Sequence, residues 1–284
     1  MSGLEKWEDL MWDRVPHLVK YTRTSLDWVD SYVKLTFGLQ KLHKDYSKGL
    51  MKLVKLQRDK GVDGRSMGKC WVGVIGHLGT VSEKHKQLAT VLGDVGRKYQ
   101  DEAELLLEEQ KQLEQTSRRK QTELDSSILL LEKSKEKFFR RQIDAERSDD
   151  ALLRSDEDDR MPKEELDKLR DLADEKKTKY NKAREEYISQ LKTTNSLQRD
   201  FYEDTWPNII SGMRGVAERS VECIISLLRR LDLLAQEEWG DFGIIAEEME
   251  AGIEDDFENF LHWVKSGNQH PQDFCFEDSF KPGA

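Results

Sequence analysis

The stretch DEAELLLEEQKQLEQTSRRKQTELDSSILLLEKSKEKFFRRQIDAER, Asp101–Arg147, contains neither proline nor glycine. Leu106 and Leu113 lie seven apart, and Leu124, Ile128, Leu131, Phe138 and Ala145 follow at steps of four, three, seven and seven. That spacing keeps an apolar stripe on one side of a long helix. At 1.5 Å per residue the helix would run roughly 70 Å. It cannot bury such a stripe against itself, so other long helices must cover it. The sequence therefore specifies an elongated, all-α assembly. Between Leu113 and Leu124 the stripe fades, and Arg118, Arg119 and Lys120 stand there instead.

Working outward, the same periodicity recurs on both sides. Residues 1–20, with Trp7, Trp12 and Pro16, read as a partly helical segment laid on a helix surface. A first long helix is expected over about 24–59, with Val29, Val33, Leu42, Tyr46, Leu50, Leu53 and Leu56 on its stripe. Gly61, Gly64 and Gly68 end it in a turn. A second helix begins near Met67 to Cys70 and continues into the opening stretch, giving a core helix over about 67–147. Gly73, Gly76 and Gly79 weaken its start by about 1 kcal/mol each and would let a neighbouring helix come close.

The acidic, polar segment Ser148–Asp159 reads as the connecting loop at one end. Pro162 suits the first turn of a third helix, over about 163–237, with Glu164 and Glu165 at its positive end. Pro207 costs about 3 kcal/mol inside a straight helix, so a kink is expected near Trp206. A short amphipathic helix over about 244–264 and an aperiodic tail, 265–284, complete a single domain. Phe274, Phe276 and Phe280 are expected to pack the tail back onto the body or across a dimer interface.

Composition narrows the function. The 284 residues are 36% charged and 37% hydrophobic with five prolines, and the mean hydropathy is −0.77. Such charge fits long solvated helices, because apolar residues still recur at helical spacing along most of the chain. The net charge of −10 argues against a nucleic-acid binder, though positive charge gathered on one surface can still meet an anionic partner. Cys70, Cys223 and Cys275 are far apart and form no CxxC pair, which argues for a reducing cytosol and against a thiolate metal site. There is no signal peptide and no apolar run long enough to span a bilayer.

No catalytic signature is present: no phosphate-binding loop, no HExxH and no GxSxG. The expectation is a non-enzyme without cofactor or metal. His77 and His85, eight apart, could share a helix face, but such pairs are ordinarily surface chance. The informative feature is the positive charge. Lys111, Arg118 and Arg119 lie on the central helix, followed by Lys133, Lys135, Lys137, Arg140 and Arg141. Lys163, Lys168 and Arg170, with Lys176, Lys177, Lys179 and Lys182, crowd the start of the third. Gathered on one side, each Lys or Arg attracts anionic lipid by about 1 kcal/mol.

Several segments resemble the F-BAR domain, and within it the Toca branch (transducers of actin assembly). Met11-Trp12-Asp13 with His17 to Asp27 resembles its opening, and Tyr46-Ser47-Lys48 with Leu50, Leu53, Val54 and Lys55 resembles its first core helix. Leu131-Glu132-Lys133-Ser134-Lys135 with Lys137-Phe138 is similar to "LExSKxKF". Tyr202, Pro207-Asn208-Ile209, Met213 and Glu218-Arg219 resemble the segment around the family's "PNIF", and Lys265-Ser266-Gly267 to Asp278 resembles its end. The resemblance implies an antiparallel, crescent-shaped homodimer of long kinked helices whose basic concave face lies on anionic membrane. It implies phosphatidylserine and phosphoinositides as ligands, coats that stabilise tubules in endocytosis and actin remodelling, and a place at plasma or endocytic membranes.

Carried over to this chain, the lipid-binding positions are Lys111, Arg118, Arg119, Lys163, Lys168 and Arg170. Where the family reads Lys-Glu-Arg before the first-helix motif, this chain has Phe37-Gly38-Leu39. The family's GTPase-binding and Src-homology-3 modules have no counterpart here, so an isolated domain is expected, with actin-regulatory partners reached through regions outside it. The competing class is a dimeric helical protein–protein scaffold that does not touch lipid.

Overall fold

Long uninterrupted apolar periodicity yields long helices. The computed structural model describes residues 7–58, 66–156, 161–235, 242–268 and 272–276. Every element among the described residues is helical: α1 (Trp7–Leu10), α2 (Val15–Arg58), α3 (Ser66–Asp156), α4 (Lys163–Arg199), a π-helical turn (Asp200–Thr205), α5 (Trp206–Ala235) and α6 (Phe242–Val264). The chain divides into two units. The first comprises residues 1–114 and 210–266, and the second 115–209 and 267–284.

Three boundaries differ from the sequence expectation. The first long helix begins at Val15 rather than Thr24, because Pro16 falls in its first turn, where the missing N–H costs nothing. Leu18 and Thr22 then extend its buried stripe. The second helix runs on to Asp156, so residues 148–156 are helix rather than loop. Their polar composition reports exposure, and nothing there breaks the backbone pattern. The third is interrupted at Asp200–Thr205, where the ladder widens by one residue just ahead of Pro207. The expected turn at Gly61 and Gly64, the end of the expected loop at 157–159, residues 236–237 and Phe280 lie outside the described residues.

In the first unit, α2, α3 and α5 enclose one core of Val29 and Val33, Leu92, Val95 and Tyr99, and Ile224, Leu227, Leu228 and Leu231. Glycine sets the α2–α3 spacing at two places. A Cβ on Gly96 would stand 2.8 Å from Cε1 of Phe37, and one on Gly93 would meet the Gln40 side chain. The glycines singled out from sequence behave otherwise: Gly73, Gly76 and Gly79 have no heavy atom within 4 Å of a built Cβ, so no described helix of this chain approaches there. Aromatic packing closes the unit at the N-terminus. Trp7 lies edge-on to Phe257 at 5.6 Å, Tyr21 stacks on Phe260 at 4.1 Å, and Arg214 covers the Trp7 ring.

Cys223 sits in this core with its thiol 3.8 Å from Glu102 Oε2. Burial, and then the neighbouring carboxylate, push the thiol up to about 12. Burial and Asp256 likewise raise the Tyr21 phenol to about 12. Both groups ionise more readily in the unfolded chain, so the stability they contribute is present at neutral pH and lost as pH rises from about 9 toward 12. Thiolate reactivity follows the same order. In a Cys70→Ser background, Ellman's reagent is expected to titrate exposed Cys275 rapidly in the native protein and Cys223 only after unfolding. Rapid native reaction of both would contradict this placement.

In the second unit, α3 and α4 pair through Leu131, Phe138, Tyr187 and Leu191. Small polar side chains bring the two helices close: Ser127 Oγ lies 2.9 Å from Thr194 Oγ1, and Gln190 Nε2 donates to Ser127 Oγ at 3.2 Å. Residues 272–276 run along α4 as an extended strap. Asn195 Nδ2 donates to the Phe274 carbonyl at 3.0 Å and its Oδ1 accepts from the Phe274 N–H at 3.1 Å, while Gln198 Nε2 donates to the Gln272 carbonyl. Phe276 lies 5.3 Å from Tyr187 and 5.9 Å from Phe138, with Arg184 over its ring. The expected return of the tail aromatics onto the body is thus realised within the unit by Phe276.

Candidate functional site

The first unit offers a helix with three distinct faces. One face of α2 is buried, carrying Val29, Val33, Thr36, His43, Ser47, Leu50 and Val54. His43 and His85 meet there, Nδ1 to Nδ1 at 2.7 Å, and Ser82 Oγ donates to the Ser47 carbonyl at 2.8 Å. His85 therefore pairs across helices with His43, and the sequence pairing of His77 with His85 is not realised. Among the described residues, no group of three or more His, Cys, Asp or Glu is placed to hold a metal ion.

The second face is apolar and, among the described residues, largely open, with the Tyr46 ring standing edge-on to His85 at 4.7 Å. Trp28, Leu35, Leu42, Tyr46, Leu53 and Leu56 are all exposed, Leu42 at 67% and Leu56 at 72%. Spacing alone merges Leu42, Tyr46, Leu53 and Leu56 with Val29, Val33 and Leu50 in one stripe; the structure separates them. The third face is basic, with Lys41, Lys44, Lys48, Lys52 and Lys55 exposed. Beside it, a groove of about 510 Å³ between α2 and α3 has Leu26, Val33, Phe37, Ala103 and Leu107 in its walls and Arg23, Asp27, Asp30, Lys34 and Glu104 among its charged lining. Phe37 and Leu39, standing where the resemblance calls for basic residues, are half-buried against the α2–α3–α5 core. Packing explains that departure.

Of the residues expected to bind lipid, Lys111 is exposed on the α3 portion of the first unit. The second unit carries the other five, all exposed. Arg118 and Arg119 are consecutive on α3. Lys163, Lys168 and Arg170 lie in the first turns of α4, and Pro162 precedes that helix in extended conformation. Arg170 is engaged: it pairs with Asp156 at 3.3 Å and Asp167 at 3.8 Å. Lys163 and Lys168 have no ion-pair partner among the described residues. Further along, Lys137 is tied to Glu186 at 2.5 Å, and that hydrogen bond holds the Glu186 carboxyl below its ordinary range. Lys179 does the same for Glu175. Arg170, Lys137 and Lys179 are thus neutralised locally and are not available to an outside anion. No described helix is long and apolar enough to cross a membrane.

The helix order and the two units can be compared with known proteins. No family model matches the chain. Among solved structures, the Hof1p F-BAR domain superposes with a TM-score of 0.71, covering 92% of both chains at 14% identity. The Imp2 F-BAR domain follows at 0.65, over 97% of this chain and 93% of that one, also at 14% identity. The chain has the F-BAR fold. Curated relatives agree along the length: formin-binding protein 1-like from Xenopus laevis is 23% identical over 286 residues, and the Homo sapiens protein of that name 25% over 286. These matches take in 96% of this chain but 52% and 47% of the relatives. The chain thus spans about half the length of the curated relatives it matches.

Proposed function

We propose that this F-BAR domain is a homodimeric module that binds anionic membrane and senses, stabilises or generates curvature in endocytosis and actin remodelling. The observation that carries the reading is the F-BAR fold over nearly the whole chain, joined to exposed cations at Lys111, Arg118, Arg119, Lys163 and Lys168. Dimerisation is supported by the largely open apolar face of α2, whose Trp28, Leu35 and Leu42 recur at seven-residue steps and suit pairing with another helix. The anions are phosphatidylserine and phosphoinositides, at plasma or endocytic membranes. Placement in the Toca branch is supported by the similarity to formin-binding protein 1-like relatives. Formins or other actin regulators are the protein partners proposed, through regions beyond the matched half.

Co-sedimentation with liposomes, with and without phosphatidylserine and phosphatidylinositol bisphosphate, at low and physiological salt, tests this. Salt-sensitive binding is expected, weakened at least about tenfold by Arg118→Glu/Arg119→Glu in a protein that remains dimeric. Failure of the charge reversal to weaken binding would remove those arginines from the surface. The competing reading, a dimeric scaffold that ignores lipid, is favoured by the net charge of −10 and by capture of Arg170 between Asp156 and Asp167. It would prevail if the intact dimer bound no anionic liposome.

A further inference from the structure

Beyond the core shared with α5, α2 and α3 run on as a two-helix arm. Buried between them there are His43, Ser47, Leu50 and Val54 of α2 and Ile75 and Ser82 of α3. That is little apolar packing for two helices, and Gly73, Gly76 and Gly79 add none. Three of the six buried side chains are polar, so the arm closes through hydrogen bonds as much as through apolar burial. Ser47 Oγ and Ser82 Oγ meet at 3.2 Å, and one turn away His43 meets the half-buried His85.

The two imidazoles are set head to head. Nδ1 stands 2.7 Å from Nδ1 while the ring centroids are 5.0 Å apart, the sum of that contact and a ring radius on each side. Each nitrogen therefore points straight at the other. The spacing fits a shared proton and is too short for a bridging metal ion, since two nitrogens held by one zinc at about 2.0–2.1 Å stand roughly 3.3 Å apart.

A neutral pair satisfies this contact, one Nδ1 donating and the other accepting. A pair with one added proton satisfies it too, as an imidazolium donating to a neutral ring. A second added proton puts N–H on both facing nitrogens, leaving no acceptor and two like charges in contact. The surroundings offer that charge little relief. At three and four residues to either side, neither helix carries a charged group; the titratable side chain there is Tyr46, edge-on to His85 at 4.7 Å. Outside these neutral positions stand Lys41, Lys44 and Lys48 of α2 and Lys84 and Lys86 of α3, against Asp45 and Glu83, the latter held by Lys86. The helix α5, packed on the same two helices, carries exposed Arg230 and half-buried Asp232 in its last turns.

We propose that His43 and His85 form an acid-sensitive latch, which shuts the α2–α3 arm with one shared proton and releases it when both rings become charged. The closed arm holds at most one positive charge at the pair, and the open arm holds two. Opening therefore takes up a proton below about pH 6.5, the ordinary histidine midpoint. The stability that the latch contributes is present above that pH and is lost as pH falls through it. Release also disturbs the apolar row that Tyr46 shares with Leu42 and Leu53, so acid is expected to weaken the dimer; that consequence rests on the dimer reading above.

Amide hydrogen exchange in the intact protein tests the latch, read as protection factors over residues 43–54 and 75–85 with 92–99 as the core reference. Between pH 7.5 and 5.5 the arm is expected to lose about fivefold in protection while the core reference holds. His85→Asn keeps a neutral hydrogen-bonding group in place of Nδ1 and should abolish the loss. His43→Asn should do the same, with circular dichroism at pH 7.5 checking that each variant is folded. An acid loss that persists in both variants, or that extends to 92–99, would overturn the latch in favour of carboxylates or general acid unfolding. An arm that keeps its protection at pH 5.5 would overturn it outright. Sedimentation velocity at the two pH values tests the dimer separately. A protein monomeric at both would remove the dimer reading and leave the latch standing, whereas a dimer unmoved by acid while the arm opens would sever the two.

Discussion

Leu42→Glu/Leu53→Glu is expected to turn a stable dimer into a monomer in sedimentation velocity. Both side chains stand exposed on the largely open face of α2, and they are too large and too regularly spaced to be incidental. In a two-fold interface each appears twice, so four apolar contacts are lost and four carboxylates face a desolvated surface. At even about 1 kcal/mol per contact, the dissociation constant rises about a thousandfold. The change should leave helicity intact, because neither residue touches the α2–α3–α5 core. A variant that remains dimeric at micromolar concentration would move the interface elsewhere.

Phe138→Ala should be the most destabilising single substitution in the second unit. The ring is fully buried, with Phe139, Tyr180, Tyr187 and Phe276 at centroid distances of 5.3, 5.5, 5.7 and 5.9 Å. Truncation removes the apolar area and leaves a cavity, for a loss of about 3–5 kcal/mol. It also takes away a ring on which Phe276 rests. Proteolysis at 272–276 should therefore quicken alongside the fall in the urea midpoint. A loss under about 1 kcal/mol would mean that the cluster collapses into the space or carries little of the stability.

How far the sequence alone leads depends on how local the deciding physics is. Leu106, Leu124, Leu131, Phe138 and Ala145 are all buried, because their spacing fixes one side of a helix whatever covers it. The first long helix exposes a weakness of the same reasoning. Two apolar rows share α2, and a list of three- and four-residue steps cannot say that Val29 and Val33 face this chain while Leu42 and Leu56 face away from it. Residues 148–156 read as loop because dense charge passes for irregularity, whereas an exposed helix tolerates charge at nearly every position. Pro207 correctly marks a disturbance, but the ladder absorbs it one turn earlier, as a π turn.

The charged surface is legible only in part. Exposure of Lys111, Arg118, Arg119, Lys163, Lys168 and Arg170 follows from their absence from any stripe. The capture of Arg170 by Asp156 does not, since it depends on α3 continuing past residue 147 to meet α4. Phe37 poses the reverse problem. As a missing charge it looks like lost affinity, and beside Gly96 it is a packing residue.

The central claim is that this helical domain binds membrane through positive charge despite its acidic total. The most direct measurement is sedimentation of the wild-type dimer with vesicles of rising phosphatidylserine content, against neutral phosphatidylcholine vesicles. Binding should climb steeply with the anionic fraction, fall with added salt, and be absent on neutral lipid. Equal sedimentation with neutral and anionic vesicles, or none with either, would contradict it.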